Sequence, residues 1–411
     1  ATGLLLANAR DTIARFRNHP SIAIWCGRNE GVPPSAINTG LEKLVREVDG
    51  TRFYIPNSRF VNLQRSGPWN YGEPVEFFTT RARGFSTELG VPSPPATEAI
   101  RAMMPQPDQW PPSDTWSYHD WHQGKGTGVQ PFMAAITDHL GAPSGLEDFE
   151  RKAQMLNYVT HRAMFEGFNA NLFHPDSGRL MWMSHPAWPS MVWQLYGSDY
   201  DTFGSFYGVK KACEPLHVQL NLPDMAVAVV NTTAQPASNL TVLARLFSAD
   251  GTLKQKWEGK VSAGPDSVVQ ALRLDATAAD GFLKLELFDS NRNLVSENFY
   301  WPYSAAAGLA AAKVSAAAHL VRKGEDAIVV VELANTGKTV ALMNRLMVRN
   351  AAGERILPAY ADDNYINLLP GEKRTVHIAC TAPASGALRL SLEGWNTPSA
   401  VVEIGKNGGS R

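Results

Sequence analysis

The sequence predicts a multidomain chain in which an alternating α/β region of barrel type precedes two immunoglobulin-like β-sandwich domains. In the first half, stretches with helical periodicity alternate with short apolar runs of strand length. From His217 onward the pattern changes to short alternating strands separated by turn signals. A second set of such strands runs from Ala312 to Ile404, and each set has the length of a sandwich domain, about 90 to 100 residues.

Leu5, Ala9, Ile13 and Phe16 recur at helical spacing, and Asn18-His19-Pro20 stops that helix. Ser21-Ile-Ala-Ile-Trp25-Cys26 has the continuous apolar character of a parallel strand covered on both faces, and Gly27 is expected to turn the backbone sharply after it. A second helix is expected over Gly40 to Glu47, and a strand over Thr51 to Ile55 ended by Pro56-Asn57-Ser58. Further strands end at Glu88 and, after a long helix from Leu146 to Phe168, over Leu180 to Met183. Beyond Pro215, Met225 to Val230 and Leu240 to Phe247 read as strands, with turns at Asp250-Gly251, Asn350 to Gly353 and Pro370-Gly371. Ser304 to Ala312, rich in Ala and Gly, reads as the linker between the two sandwiches.

Two carboxylates stand where chemistry belongs in such an architecture. Glu30 in Trp25-Cys-Gly-Arg-Asn29-Glu30-Gly31 and Glu88 in Gly84-Phe-Ser-Thr-Glu88-Leu-Gly90 each close a strand. In α/β barrels the carboxyl ends of strands and the loops after them build the site. Two carboxylates presented there are the minimum equipment for cleaving a glycosidic bond. The chain also holds eleven tryptophans. Any single Trp more often fills a core, but Trp69-Asn-Tyr71 and Trp116-Ser-Tyr118-His119-Asp120-Trp121-His122 alternate aromatic and polar groups inside Pro/Gly-rich loops. A sugar ring presents an apolar C–H face to an aromatic plane and its hydroxyls to polar neighbours, so Trp69, Tyr71, Trp116, His119 and Trp121 are candidate substrate-binding residues.

A net charge of -1 gives no electrostatic case for nucleic acid or an anionic membrane surface. The longest apolar runs, such as Ile328-Val-Val-Val331, are of strand length and far below a membrane span. Cys26, Cys213 and Cys380 are scattered and lack metal spacing, and His119 and His122 are joined by no further zinc-type ligand, so no metal and no cofactor is expected. Signatures of phosphate loops, dinucleotide folds and Gly-x-Ser-x-Gly hydrolases are absent from the sequence. Composition fits a secreted or periplasmic protein.

His19-Pro20-Ser21-Ile-Ala-Ile-Trp25-Cys-Gly-Arg-Asn29-Glu30 resembles the acid/base signature of glycoside hydrolase family 2, which reads His-Pro-Ser, an apolar strand, then Gly-x-Asn-Glu. Phe85-Ser-Thr-Glu88-Leu-Gly90 resembles that family's nucleophile strand. Trp182-Met-Ser-His185-Pro-Ala-Trp188 and Tyr207-Gly-Val-Lys210-Lys211-Ala look like its last barrel strand and closing helix, and Asp363-Asn364-Tyr365 to Glu372 is similar to a motif of its terminal sandwich. The resemblance runs toward the β-mannosidase, mannosylglycoprotein endo-β-mannosidase and exo-β-D-glucosaminidase branch. It implies that residues 1–216 are the carboxyl-terminal part of a catalytic (β/α)8 TIM barrel, 217–303 and 304–405 immunoglobulin-like domains, and 406–411 a tail. The amino-terminal half of such an enzyme, in the same or a separate chain, is then an expected partner alongside a β-linked oligosaccharide.

The roles implied are Glu88 as nucleophile, Glu30 as acid/base, Asn29 on the sugar 2-hydroxyl, Tyr71 orienting Glu88, and Trp182 stacking under the sugar, with Trp188 an alternative bearer. Ser184-His185-Pro186 departs from the family's Asn-Asp or Asn-Asn, which makes His185 a candidate for selectivity. β-Mannoside cleavage leads. Exo-β-D-glucosaminidase action is the alternative, with Glu73 or Asp120 as partner for the substrate ammonium, and a non-catalytic carbohydrate-binding subunit is the alternative of another class.

Overall fold

The computed structural model describes residues 1–61, 64–65, 67–122, 128–323, 326–381 and 386–406, so most of the expected tail, 407–411, lies outside the described residues. The chain forms two compact units, the first built from Ala1–Pro68, Thr80–Leu89 and Leu172–Met181, the second from the remainder.

In the first unit, helix α1 (Thr2–Phe16) leads to strand β1 (Ile24–Cys26), helix α2 (Ser35–Leu44) and strand β2 (Phe53–Ile55). β1 and β2 pair in parallel, Ile24 opposite Phe53 and Cys26 opposite Ile55. Arg52 fixes this register. Its guanidinium donates to the carbonyls of Arg17 (2.7 Å), His19 (2.9 Å) and Ile22 (2.6 Å), tying the turn before β1 to the start of β2. Ile13, Leu44 and Val45 form a small core with Trp25 and Tyr54 against it. That core covers one side, and within this chain Ile24 is 36% exposed and Phe53 80%. A hairpin of β3 (Phe60–Val61) and β4 (Gln64–Arg65) follows, then β5 (Phe85–Leu89) pairs in parallel with β6 (Gly178–Met181).

The second unit holds the short helices α3 (Glu76–Thr79), α4 (Thr97–Met103) and α5 (Asp114–Tyr118), then α6 (Val129–Leu140), the long α7 (Leu146–Asn169) and α8 (Gly204–Ala212). α8 lies directly on α7 because Gly204 and Gly208 present no side chain. A Cβ at either would come within 2.5 Å of the Gln154 carbonyl or 2.4 Å of the Tyr158 carbonyl.

Strands β7 (Leu216–Asn221), β8 (Ala226–Asn231), β9 (Ala237–Phe247), β10 (Leu253–Ala263), β11 (Ser267–Arg273), β12 (Phe282–Phe288) and β13 (Leu294–Tyr300) make an antiparallel sandwich. Its two sheets run β10-β9-β12-β13 and β11-β8-β7. Val227 and Val229 on one share a core with Val242, Leu285 and Leu287 on the other. Of the Ser304 to Ala312 stretch expected to link the sandwiches, the first residues belong to a short helix, α9 (Tyr303–Ala307), as Ala's helix propensity allows, and 308–312 lie outside helix and strand.

A second sandwich contains β14 (Val314–Lys323), β15 (Asp326–Asn335), β16 (Ala341–Arg349), β17 (Ala359–Ala361), β18 (Ile366–Leu368), β19 (Lys373–Cys380), β20 (Arg389–Glu393) and β21 (Ala400–Lys406). β21 joins its halves, parallel to β14 and antiparallel to β20. Val329, Val331 and Ile378 share one core with Leu346, Leu390 and Leu392, and that core extends to Met155, Phe203 and Tyr207 of the helices.

Candidate active site

Glu30 and Glu88 both belong to the first unit, and one residue, Ser58, engages the segments that carry them. The backbone after β1 continues the ladder for one residue, Gly27 N–H donating to the Ile55 carbonyl at 2.9 Å. Gly27 is required by close approach and not by a turn: a Cβ there would lie 2.2 Å from the Tyr54 hydroxyl. The turn comes instead at Glu30, which adopts the left-handed conformation with φ 53°. A non-glycine residue held in that region costs energy and is concentrated at functional sites.

Ser58, in the loop after β2, stabilises this turn. Its N–H donates to the Arg28 carbonyl (3.1 Å), its hydroxyl donates to Asn29 Oδ1 (3.0 Å), and the same hydroxyl accepts the Glu30 N–H (3.1 Å). Because Asn29 Oδ1 is the edge taken by Ser58, the amide Nδ2 is the edge turned away, which is the donor a sugar hydroxyl needs.

Ser58 also holds the second carboxylate's strand, since Thr87 Oγ1 donates to its carbonyl at 2.6 Å. The β5–β6 register shifts between Ser86 and Leu89, so Thr87 and Glu88 sit at an irregularity in the ladder. Glu88 is only 9% exposed, and its carbonyl accepts the Gly67 N–H at 2.7 Å. The start of β5 is clamped by Asp176, fully buried, whose Oδ1 accepts the Gly84 N–H at 2.6 Å. Burial pushes the Asp176 carboxyl up, against the pull of that hydrogen bond and of Arg179 and Arg83. Thr87 lies within the Phe85 to Gly90 motif, whereas Ser58 and Asp176 are identified by their three-dimensional contacts.

The remaining candidates lie in the second unit. Trp116 and Trp121 are corrected from substrate-binding to core residues. Both are fully buried, edge-on to one another and to Phe149, with the Trp116 indole donating to the Asp108 carbonyl at 2.9 Å. Tyr71 is likewise buried, edge-on to Phe132, with Tyr303 and Glu73 beside its hydroxyl; burial raises its pKa far above the ordinary phenol value. Trp69 contributes its backbone, accepting the Trp193 indole N–H at 2.9 Å.

His119 is buried, its Nδ1 2.8 Å from the Pro189 carbonyl and its ring stacked on Trp188 at 5.1 Å. Asp120 accepts from Ser190 (2.9 Å) and Glu73 pairs with His139 (3.0 Å), so both proposed ammonium partners already hold protein groups. Trp182 is 39% exposed, and its carbonyl lies 2.3 Å from where a Cβ on Gly90 would stand, which gives the glycine after the Glu88 strand its physical reason. His185 is stacked between Tyr196 (5.0 Å) and Tyr200 (4.9 Å). Among the described residues, no group of three His, Cys, Asp or Glu is arranged to hold a metal ion, and no helix is long and apolar enough to cross a membrane.

Residues 224–305 match the mannosidase Ig/CBM-like domain family, and residues 295–397 match the exo-beta-D-glucosaminidase Ig-fold domain family. The mannosylglycoprotein endo-beta-mannosidase of Lilium longiflorum is 28% identical over 96% of this chain and 54% of its own length. The exo-beta-D-glucosaminidase of Streptomyces avermitilis is 29% identical over 95% of this chain and 49% of its own. Among solved structures, the exo-chitosanase of Amycolatopsis orientalis superposes with a TM-score of 0.86 and 26% identity, covering 98% of this chain and 54% of that one. The chain thus spans about half the length of the curated relatives it matches. It carries immunoglobulin-fold domains typical of the exo-glucosaminidases and mannosidases of glycoside hydrolase family 2, and along nearly its whole length it is similar to proteins bearing those names.

Proposed function

We propose that this chain supplies the two catalytic carboxylates of a retaining β-glycosidase, Glu88 as nucleophile and Glu30 as acid/base. The observation that carries the reading is Ser58, whose backbone and hydroxyl bond Asn29 and Glu30 on one side and Thr87, next to Glu88, on the other. Glu88 attacks the anomeric carbon while Glu30 gives its proton to the departing glycosidic oxygen, leaving a glycosyl ester on Glu88. Glu30, now a carboxylate, then takes a proton from water, which attacks the same carbon and frees Glu88. Two inversions give net retention, a path that calls for carboxyl groups about 5 to 5.5 Å apart. Asn29 Nδ2 serves the 2-hydroxyl, and Trp182 takes the stacking role its motif implies.

The same reading makes residues 1–216 the carboxyl-terminal part of a (β/α)8 barrel, supported by the parallel pairs β1–β2 and β5–β6. Exposed apolar side chains on the first unit, Leu4, Ile24, Phe53 and Leu180, support an amino-terminal half as partner. β-Mannosidic bonds in exo or endo mode are the first substrate reading. β-Glucosaminides are the second, favoured by the terminal domain match over 295–397. An assay of the full-length protein on aryl β-mannoside, β-glucosaminide, β-galactoside and β-glucuronide, with Glu88→Gln as blank, tests both. Mannoside turnover lost in the variant is the expected result, and glucosaminide turnover would establish the second substrate. No turnover of these or of an N-glycan-type oligosaccharide would leave a non-catalytic carbohydrate-binding subunit.

A further inference from the structure

Strand β5 carries Glu88, and its ladder to β6 does not by itself place that residue. Phe85 pairs with Gly178 and Ser86 with Arg179, the register then shifts, and pairing resumes at Leu89 opposite Met181. Glu88 therefore stands where the anchors at the two ends of the strand put it. The carboxyl end is held by Gly67 N–H on the Glu88 carbonyl (2.7 Å) and by Thr87 Oγ1 on the Ser58 carbonyl (2.6 Å). The amino end is held at Gly84, whose N–H donates to Asp176 Oδ1 at 2.6 Å and whose carbonyl accepts the Ser177 N–H at 3.1 Å. All of these residues belong to the first unit.

A fully buried carboxylate is costly unless it is hydrogen-bonded and paired. Asp176, with no exposed surface, meets that condition through Gly84 and through two guanidiniums, Arg179 at 3.6 Å and Arg83 at 3.8 Å. Arg179 in turn donates to the Ala82 carbonyl. Ala82 and Gly84 both hold left-handed backbone, φ 53° and 86°, which an alanine rarely adopts unaided. The turn into β5 is thus fixed at both of its left-handed residues by one buried ion pair, Ala82 through Arg179 and Gly84 through Asp176. Gly84 and Glu88 are four residues of strand apart, about 13 Å. Asp176 therefore acts on the site through the strand and does not itself meet the reacting atoms.

We infer that Asp176 is a positioning residue for the nucleophile, a role that rests on the assignment of Glu88 proposed above. Through Gly84 it fixes how far β5 is advanced along β6, and so where the Glu88 carboxylate stands. Attack on the anomeric carbon needs near-attack geometry, and a displacement of about 1 Å can cost about a hundredfold in rate. The groups proposed to bind the sugar are held otherwise, Asn29 by Ser58, while Trp182 belongs to the second unit. Loss of Asp176 should therefore slow the attack and leave affinity in place.

Inactivation of the full-length protein by activated fluorosugars of the manno and gluco series tests this, followed as the rate at which label enters the peptide containing Glu88. The first-order rate constant belongs to the folded molecules, so a residue that merely stabilises the fold changes how much protein is labelled and not how fast. In Asp176→Ala the rate constant at saturating fluorosugar is expected to fall at least tenfold, with the half-saturating concentration within twofold of wild type. Asp176→Asn keeps an acceptor for Gly84 and should lie between the two, at least threefold below wild type; it carries the test alone should Asp176→Ala not fold. Saturating rate constants within twofold of wild type in the folded variants, or a loss confined to the half-saturating concentration, would overturn the role of Asp176 and leave Glu88 as nucleophile. A wild type that takes no label on Glu88 would instead overturn the assignment of the nucleophile, and the role of Asp176 with it.

Discussion

In the proposed site, Ser58 sets the geometry of the Asn29-Glu30 turn without itself having a role toward substrate. Its hydroxyl holds the Asn29 amide and the strained Glu30 backbone together. Ser58→Ala removes two hydrogen bonds worth about 1 kcal/mol each. We expect kcat/KM to fall roughly tenfold to thirtyfold, with Tm within a few degrees of wild type, and Ser58→Thr to recover most of the loss. Steady-state kinetics on the preferred aryl glycoside, beside a melting curve, checks this. The roles proposed for Glu30, Glu88 and Asn29 come from the motifs that resemble glycoside hydrolase family 2, since a carboxylate in a strand-end loop is by itself more often a solvated turn or a cap. Ser58 and Asp176 are not legible there, because their contacts with Thr87 and Gly84 join residues 29 and 92 positions apart. Trp116 and Trp121 mislead for a related reason. The polar groups alternating with them bond other parts of the protein, Ser117 the Trp121 carbonyl, His119 the Pro189 carbonyl and Asp120 the Ser190 hydroxyl, and a sequence does not distinguish that from a ligand site.

At the scale of elements, the α7–α8 contact depends on what Gly204 and Gly208 lack. A methyl at Gly208 would press on the Tyr158 carbonyl at 2.4 Å and the Arg162 N–H at 3.1 Å, both backbone and unable to swing aside. Overpacking of this kind costs about 1 to 3 kcal/mol. Gly208→Ala should therefore lower Tm by several degrees in a calorimetric scan, whereas Gly308→Ala, where a Cβ meets nothing within 4 Å, should leave it unchanged. Sandwich strands such as β10 and β19 alternate between exposed and more buried positions, whereas β8, β12 and β16 are buried almost throughout. The turns at Gly251, Gly353 and Gly371 were readable, and all three take left-handed φ. Along β1 continuous apolar residues state a capacity for burial that, within this chain, the core formed by Ile13, Leu44 and Val45 meets on one side.

Across the whole molecule, polar groups buried where α7 meets the first sandwich make stability depend on pH. Burial alone would raise Glu214, but hydrogen bonds from His217 and pairing with Lys211 hold it down at about 2, from 4.5. Burial alone would lower His217, but Glu166 and Glu214 raise it above 6.5. The Glu214 contribution is present above about pH 4.5 and is lost as pH falls toward 2, while the His217 contribution is complete below about 6.5 and is lost as pH rises through its folded value. Glu150, raised to about 8, adds a cost that grows between pH 4.5 and 8. Tm should peak between about pH 4.5 and 6.5, and His217→Gln should flatten the alkaline fall. The proposed chemistry makes a still sharper demand. Full-length protein incubated with activated fluorosugars of the manno and gluco series, then digested and analysed by mass spectrometry, should carry one glycosyl group on the peptide containing Glu88 and none in Glu88→Gln. A label on another carboxylate, or undiminished turnover with Glu88 unlabelled, would contradict the assignment of Glu88 as the nucleophile.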